Sequence, residues 1–172
     1  MLTAMHGTFE TIDDRPALTF ERRLAHPVER VWRAVTDPGE LAHWFPSAVR
    51  GEVAPGGRLT FAFPDADMTL EGEVVDFEPL RRFAFTFGDD VLRIELEAAG
   101  DGCLLRFTCL FDETERAARD AAGWHVCLEL LERHLGGTPT DAPGSGATPE
   151  WRELYEEYQR RGLPAGAPVP GD

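Results

Sequence analysis

Phe83-Ala84-Phe85-Thr86-Phe87, Leu92-Arg93-Ile94-Glu95-Leu96-Glu97 and Cys103-Leu104-Leu105-Arg106-Phe107-Thr108-Cys109-Leu110-Phe111 put an apolar side chain at every second position. Successive side chains of a strand point to opposite faces, so each run predicts a half-buried strand with one apolar face. Ala99-Gly100-Asp101-Gly102, between the second and third runs, is a hairpin turn and makes them antiparallel neighbours. Upstream, Leu59, Phe61 and Phe63 alternate after the turn Pro55-Gly56-Gly57. Met68, Leu70, Gly72 and Val74 share a face opposite Thr69, Glu71, Glu73 and Val75. Five such strands form a meander. Residues 8–12 and 17–25, parted by Asp13-Asp14-Arg15-Pro16, raise the expected total to six or seven.

The period then changes to that of a helix. Ala117, Ala121, Trp124, Leu128, Leu131 and Leu135 recur at spacings of four and three, one stripe of a helix from about 114 to 135. Asp112 or Thr114 is placed to cap it, and Gly136-Gly137 ends it. Gly123 lies inside it and is read as permitting close approach. Two shorter helices precede the meander. Pro27 opens one that carries Val28, Val31, Trp32 and Val35, and Asp37-Pro38 stops it and opens another through Leu41, Trp44 and Phe45. The class is therefore α+β, a curved antiparallel sheet against one long helix, within residues 1–137.

Residues 138–149 read as a flexible linker. Thr148-Pro149-Glu150 supplies a cap, a first-turn proline and a first-turn acid for a helix over 150–162. Its apolar edge of Trp151, Leu154, Tyr155 and Tyr158 must dock, because so short a helix is marginal alone. The expected place is beside Trp44 and Phe45, partly over a cavity mouth. Residues 163–172, rich in Pro and Gly, are expected to be disordered.

The 172 residues carry a formal charge of −14 and no lysine; all 17 cations are arginine. That charge excludes a phosphate-backbone partner, which needs a positive footprint. No apolar run is long enough for a membrane span, and the first seven residues show no signal peptide. Cys103, Cys109 and Cys127 lack metal-ligand spacing, and six residues of strand hold the first two about 20 Å apart, too far for a disulfide. They are expected to be buried hydrophobes in a reducing cytoplasm.

His26-Pro27-Val28-Glu29-Arg30-Val31-Trp32-Arg33-Ala34-Val35-Thr36-Asp37-Pro38, followed by Leu41-Ala42-His43-Trp44-Phe45, resembles the N-terminal signature of the heat-shock protein 90 ATPase activator-like family, within the START-like (SRPBCC) superfamily. Pro55-Gly56-Gly57-Arg58, Gly72-Glu73-Val74-Val75-Asp76-Phe77-Glu78-Pro79 and Gly123-Trp124 agree with it, so that the resemblance covers about residues 16–136. It implies a helix-grip fold with a cavity between sheet and long helix, used in the superfamily for lipids, sterols, polyketides and other apolar molecules. Members often end the last strand with His where this chain has Cys109, so no role for that His carries over. Eukaryotic activators grip the chaperone through a separate N-terminal domain for which this length is expected to leave no room, so the resemblance says little about chaperone work here.

The candidate cavity residues are Trp44, Phe45, Phe61, Phe63, Phe85, Leu105, Phe107, Trp124 and Leu128. No catalytic residue, metal ligand or cofactor is expected. His125 and Glu129 stand one helical turn apart without a third ligand and read as a solvated polar face; Glu71, Glu73, Glu95 and Glu97 read as the outer face of the sheet. The expected function is non-enzymatic binding of a small apolar molecule by a cytoplasmic monomer or homodimer. The alternatives are a protein-interaction or chaperone-accessory and stress module and a cyclase- or hydrolase-type enzyme using the same cavity. The charge yields one immediate test. Duplex DNA in a gel-shift assay at physiological salt is expected to migrate unretarded, and salt-sensitive retention would contradict this reading.

Overall fold

The computed structural model describes residues 6–144 and 146–170. The first five residues of the N-terminal stretch, Ser145 of the linker and residues 171–172 of the tail lie outside the described residues.

Eight strands form the sheet: β1 (Thr8–Ile12), β2 (Arg15–Leu24), β3 (Ala48–Gly51), β4 (Arg58–Phe63), β5 (Met68–Glu78), β6 (Arg82–Phe87), β7 (Asp90–Ala99) and β8 (Gly102–Leu110). Their order is β1-β2-β8-β7-β6-β5-β4-β3, antiparallel throughout. The count exceeds the six or seven expected because Ala48–Gly51, too short and mixed to show alternation, pairs with β4 as an edge strand. Asp13 and Asp14 both take positive φ in the β1–β2 turn, leaving Arg15 and Pro16 to the strand. The register slips between Val74 and Asp76, a bulge that leaves Val75 exposed and re-aims the end of β5. Gly72 is required where it stands, since a Cβ there would meet the Thr86 carbonyl at 1.9 Å.

α1 (Val28–Thr36) and α2 (Pro38–Leu41) come between β2 and β3. Glu40 fastens them, accepting from Arg30 at 2.6 Å, Arg33 at 2.9 Å and, from the long helix, His134 at 3.0 Å. Burial alone would raise its carboxyl, but these hydrogen bonds hold it below its ordinary value.

The long helix opens with a 3₁₀ turn (Thr114–Arg116) and continues as α3 (Ala117–Leu135), about 28 Å for 19 residues. It runs unbroken through Gly123. Neither Asp112 nor Thr114 caps it: Asp112 is taken by Arg15 at 3.0 Å, and Ala118 N–H instead donates to the Pro164 carbonyl at 2.9 Å. Residues 163–170 therefore do not hang free as their composition suggested. They lie along the start of α3, held also by Ala167 N–H on the Glu115 carbonyl and by Arg119 on the Pro168 carbonyl. A helix start leaves donors unsatisfied, and this segment answers part of that need.

α4 (Pro149–Arg160) begins as expected, with the Thr148 hydroxyl accepting from Trp151 N–H at 3.2 Å. Its position differs from expectation. It packs on α3 rather than beside α2, and the linker reaches the chain just past α2 in its place, through paired hydrogen bonds between His43 and Thr140.

The core is aromatic. Phe45 is fully buried, its ring 5.7–6.1 Å from those of Trp44, Phe61, Phe85 and Trp124, and 5.6 Å from Phe87. Phe45→Ala is expected to cost about 3–5 kcal/mol, read as a shift of the denaturation midpoint at unchanged m-value. A loss below about 1 kcal/mol would mean that the cluster does not organise the core.

Candidate functional site

Beside α3, where β4–β6 run past its N-terminal half, the core stops short of filling the fold. A cavity of about 480 Å³ opens there. Phe63, Met68 and Phe87 from the strands form one wall, and Gly123, Trp124, Val126, Cys127 and Leu130 of α3 form another. Pro46, the linker residues Asp141, Pro143, Gly144 and Gly146, and Trp151 at the head of α4 close over it. A Cβ added at Gly123 would be 3.8 Å from the Trp151 indole nitrogen, so the glycine lets α4 sit close without being crowded.

Of the nine residues expected at the cavity, Phe63 and Trp124 line it. Trp44, Phe45, Phe61, Phe85, Leu105, Phe107 and Leu128 are 0–3% exposed and fill the core beneath. The alternation found the inward face of each strand correctly, but residues near a strand's middle meet α1, α2 and α3, whereas those near its end meet open space.

The polar end of the cavity was not foreseen. Asp90, 7% exposed, accepts both terminal nitrogens of Arg116, one at 3.0 Å and the other at 2.5 Å. Arg116 also reaches Asp120 at 2.7 Å, and Arg119 binds the other Asp120 oxygen at 2.9 Å. Burial pushes the Asp90 carboxyl up, with Arg116 opposing it. The guanidinium of Arg116 would be lowered by burial, but hydrogen bonding and charge from Asp90 and Asp120 hold it above its ordinary value. The signal was present as Arg116 and Asp120 at helical spacing. Only the β6–β7 turn, which delivers Asp90, makes the pair a buried cluster.

A second polar network ties α4 down. Tyr158, fully buried, accepts from Gly7 N–H at 2.8 Å and lies 2.8 Å from His125 Nδ1, whose Nε2 is 3.2 Å from Glu129. One proton arrangement satisfies all of them: Tyr158 donates to Nδ1, and Nε2–H donates to the Glu129 carboxylate. Burial pushes the phenol up to about 12. His125, 3% exposed, is therefore no part of a solvated face, because α4 covers it. Arg22, 2% exposed, also points inward from β2, 3.3 Å from Glu132 and 5.8 Å from the Phe20 ring centre. All three cysteines are free and buried, and burial raises their thiols. Among the described residues no three His, Cys, Asp or Glu gather as a metal site, and no helix is long and apolar enough to cross a membrane. Glu71, Glu73 and Glu97 are exposed on the outer sheet face, with Glu95 half-buried.

A larger hollow, about 970 Å³, lies at the other end of the sheet near the β7–β8 turn and the start of α1. Its lining mixes apolar side chains such as Val28, Leu80 and Leu104 with charged ones, and its Arg81, Arg82 and Arg106 are already paired with Glu78, Asp76 and Glu21. It offers an apolar guest little.

Residues 25–136 match the family described as Activator of Hsp90 ATPase homolog 1-like protein. The chain belongs to that family. Solved structures agree with the helix-grip fold that membership implies. CalU16 from Micromonospora echinospora superposes with a TM-score of 0.72 at 23% identity, over 90% of this chain and 92% of that one. EF2215 from Enterococcus faecalis gives 0.72 at 24%, over 92% and 91%. DynU16, a protein of the dynemicin biosynthetic locus, gives 0.66 at 25%, over 73% of this chain and 49% of that one. No curated protein matches the sequence. Identities this low carry the fold and leave the cavity to be read from its own residues.

The Asp90–Arg116 clamp makes a prediction with a pH signature. Arg116→Met strands the buried Asp90 and is expected to cost about 3–5 kcal/mol at pH 7. Without Arg116 the Asp90 carboxyl rises further, so the folded variant holds a proton more readily than the unfolded chain. Its stability then falls as pH rises above the unfolded carboxylate value, near 4. The deficit relative to wild type should therefore shrink toward pH 5 in urea titrations, and an equal deficit at both pH values would contradict the clamp.

Proposed function

We propose that this protein binds a small, largely apolar molecule in the cavity between β4–β6, α3 and the linker. The observation that carries the reading is a space of about 480 Å³ left open in a core otherwise filled with aromatic rings. Ligand sites typically occupy about 300–1,000 Å³, are lined mainly by apolar and aromatic side chains and carry a few polar groups. Phe63, Phe87, Trp124 and Trp151 supply the first kind and the Asp90–Arg116–Asp120 cluster the second. A packed core gives up stabilising contacts wherever it leaves room, so a cavity of this size has a cost that a bound guest would offset.

Binding fits the lining better than catalysis. Both oxygens of Asp90 and both of Asp120 are engaged by arginine, which holds them still rather than free to carry a proton. The Cys127 thiol is pushed up by burial, away from the thiolate that nucleophilic chemistry needs. A monomer or homodimer in the cytoplasm is consistent with this role.

Native mass spectrometry of the freshly purified protein is expected to show a non-covalent small-molecule adduct that denaturation removes. Filling the space tests the site itself. Val126→Trp should weaken binding of the neutral dye N-phenyl-1-naphthylamine about tenfold or more, while overpacking costs only about 1–3 kcal/mol. A folded variant that binds the dye as wild type does would sink the reading.

A further inference from the structure

The charges around the cavity say what kind of apolar molecule it takes, an inference that rests on the reading above. Four carboxylates line it, Asp90, Asp120, Asp141 and Glu150, against two guanidiniums, Arg116 and Arg119. Both arginines are already engaged. Arg116 is shared between Asp90 and Asp120, and Arg119 donates to Asp120 and to the Pro168 carbonyl. Arg119 keeps further N–H donors, but an anionic guest reaching for them would sit beside the Asp90 and Asp120 carboxylates that already offset both guanidiniums. Asp141 and Glu150, at the mouth, form no ion pair among the described residues, and both are exposed. Glu129 crowds Glu150 from α3, and the hydrogen bond between the two carboxyls, helped by burial, pushes Glu150 up. Arg133 and His125 act the other way on both carboxyls, so the crowding by Glu129 and burial are what raise Glu150.

We infer that the guest is a lipophilic amine: an apolar, ring-sized body seated among Phe63, Phe87, Trp124 and Trp151, with a protonated nitrogen at the mouth between Asp141 and Glu150. The two parts of the lining then have separate tasks. The aromatic wall takes the body, and its rings also attract a nearby cation. The carboxyl groups of Asp141 and Glu150 take the charge, which costs a guest little desolvation at an open mouth and much more deeper in.

Two probes of one shape test this. Dansylcadaverine and N-dansyl-6-aminohexanoate share the dansyl ring and the five-carbon arm and differ in ending as ammonium or carboxylate. At pH 7 the cationic probe is expected to bind about tenfold tighter or more, and the preference should narrow with added salt. Asp141→Asn with Glu150→Gln should bring the two affinities to within about twofold. The protein's charge of −14 favours cations everywhere, so Glu71→Gln with Glu73→Gln, an equal change of charge on the outer face of β5, is the control and should leave the preference standing. Equal binding of the two probes to wild type, a preference for the carboxylate, or an equal loss in the control would overturn the inference while leaving the cavity reading intact. If neither probe nor neutral dye binds, both fall together.

Discussion

One mismatch of dimensions governs this molecule. Eight strands about 4.8 Å apart make a sheet about 34 Å across, and its inner face is apolar apart from positions such as Arg22. The helix that grips it is about 10 Å wide. Curvature wraps part of the sheet around α3, and α1 and α2 cover part of the rest, fastened to α3 through Glu40 and His134. What remains exposed beside β4–β6 is covered by chain that comes later: the linker, the head of α4 and the segment at 163–170. Such irregular cover does not pack like a helix face, and the cavity is the space it fails to fill.

The same mismatch explains why α3 is buried on two sides. Its sheet-facing stripe is apolar, as expected of an amphipathic helix. Its other side carries Gly123, His125 and Glu129, which in a helix exposed to water would be unremarkable. Under α4 they become a constraint, because every buried donor and acceptor must find a partner. Tyr158 meets that demand, joining a histidine of α3 to the backbone at Gly7, 151 residues earlier. This hydrogen-bond chain fixes where α4 lies, and so where Trp151 meets the cavity.

Strand and helix periods were legible because they are local. Phe83, Phe85, Leu92 and Ile94 alternate within a few residues of one another, and Ala121, Trp124 and Leu128 mark a face within two turns. The linker's route was not legible, since nothing within residues 138–149 says that Thr140 will meet His43. Nor was the split between core and cavity: Phe61 and Phe63 sit two positions apart on one face of β4, yet only the latter looks into open space. Alternation reports which face a residue is on and is silent about what stands opposite. Arg22 shows a related limit, since a charged side chain on an inward position of β2 reads as imperfect alternation until Glu132 is found across from it.

The chain order of these parts has a temporal meaning. Arg119 of α3 is bonded to a carbonyl 49 residues further along, and the strands, α1 and α2 all precede both. A ribosome adding roughly 5–20 residues per second releases the sheet and gripping helix while the segment that roofs the hollow is still unmade. The walls therefore exist for seconds before the cover is complete, and a hydrophobic guest present in that interval meets a wider entrance than the mouth of the finished protein.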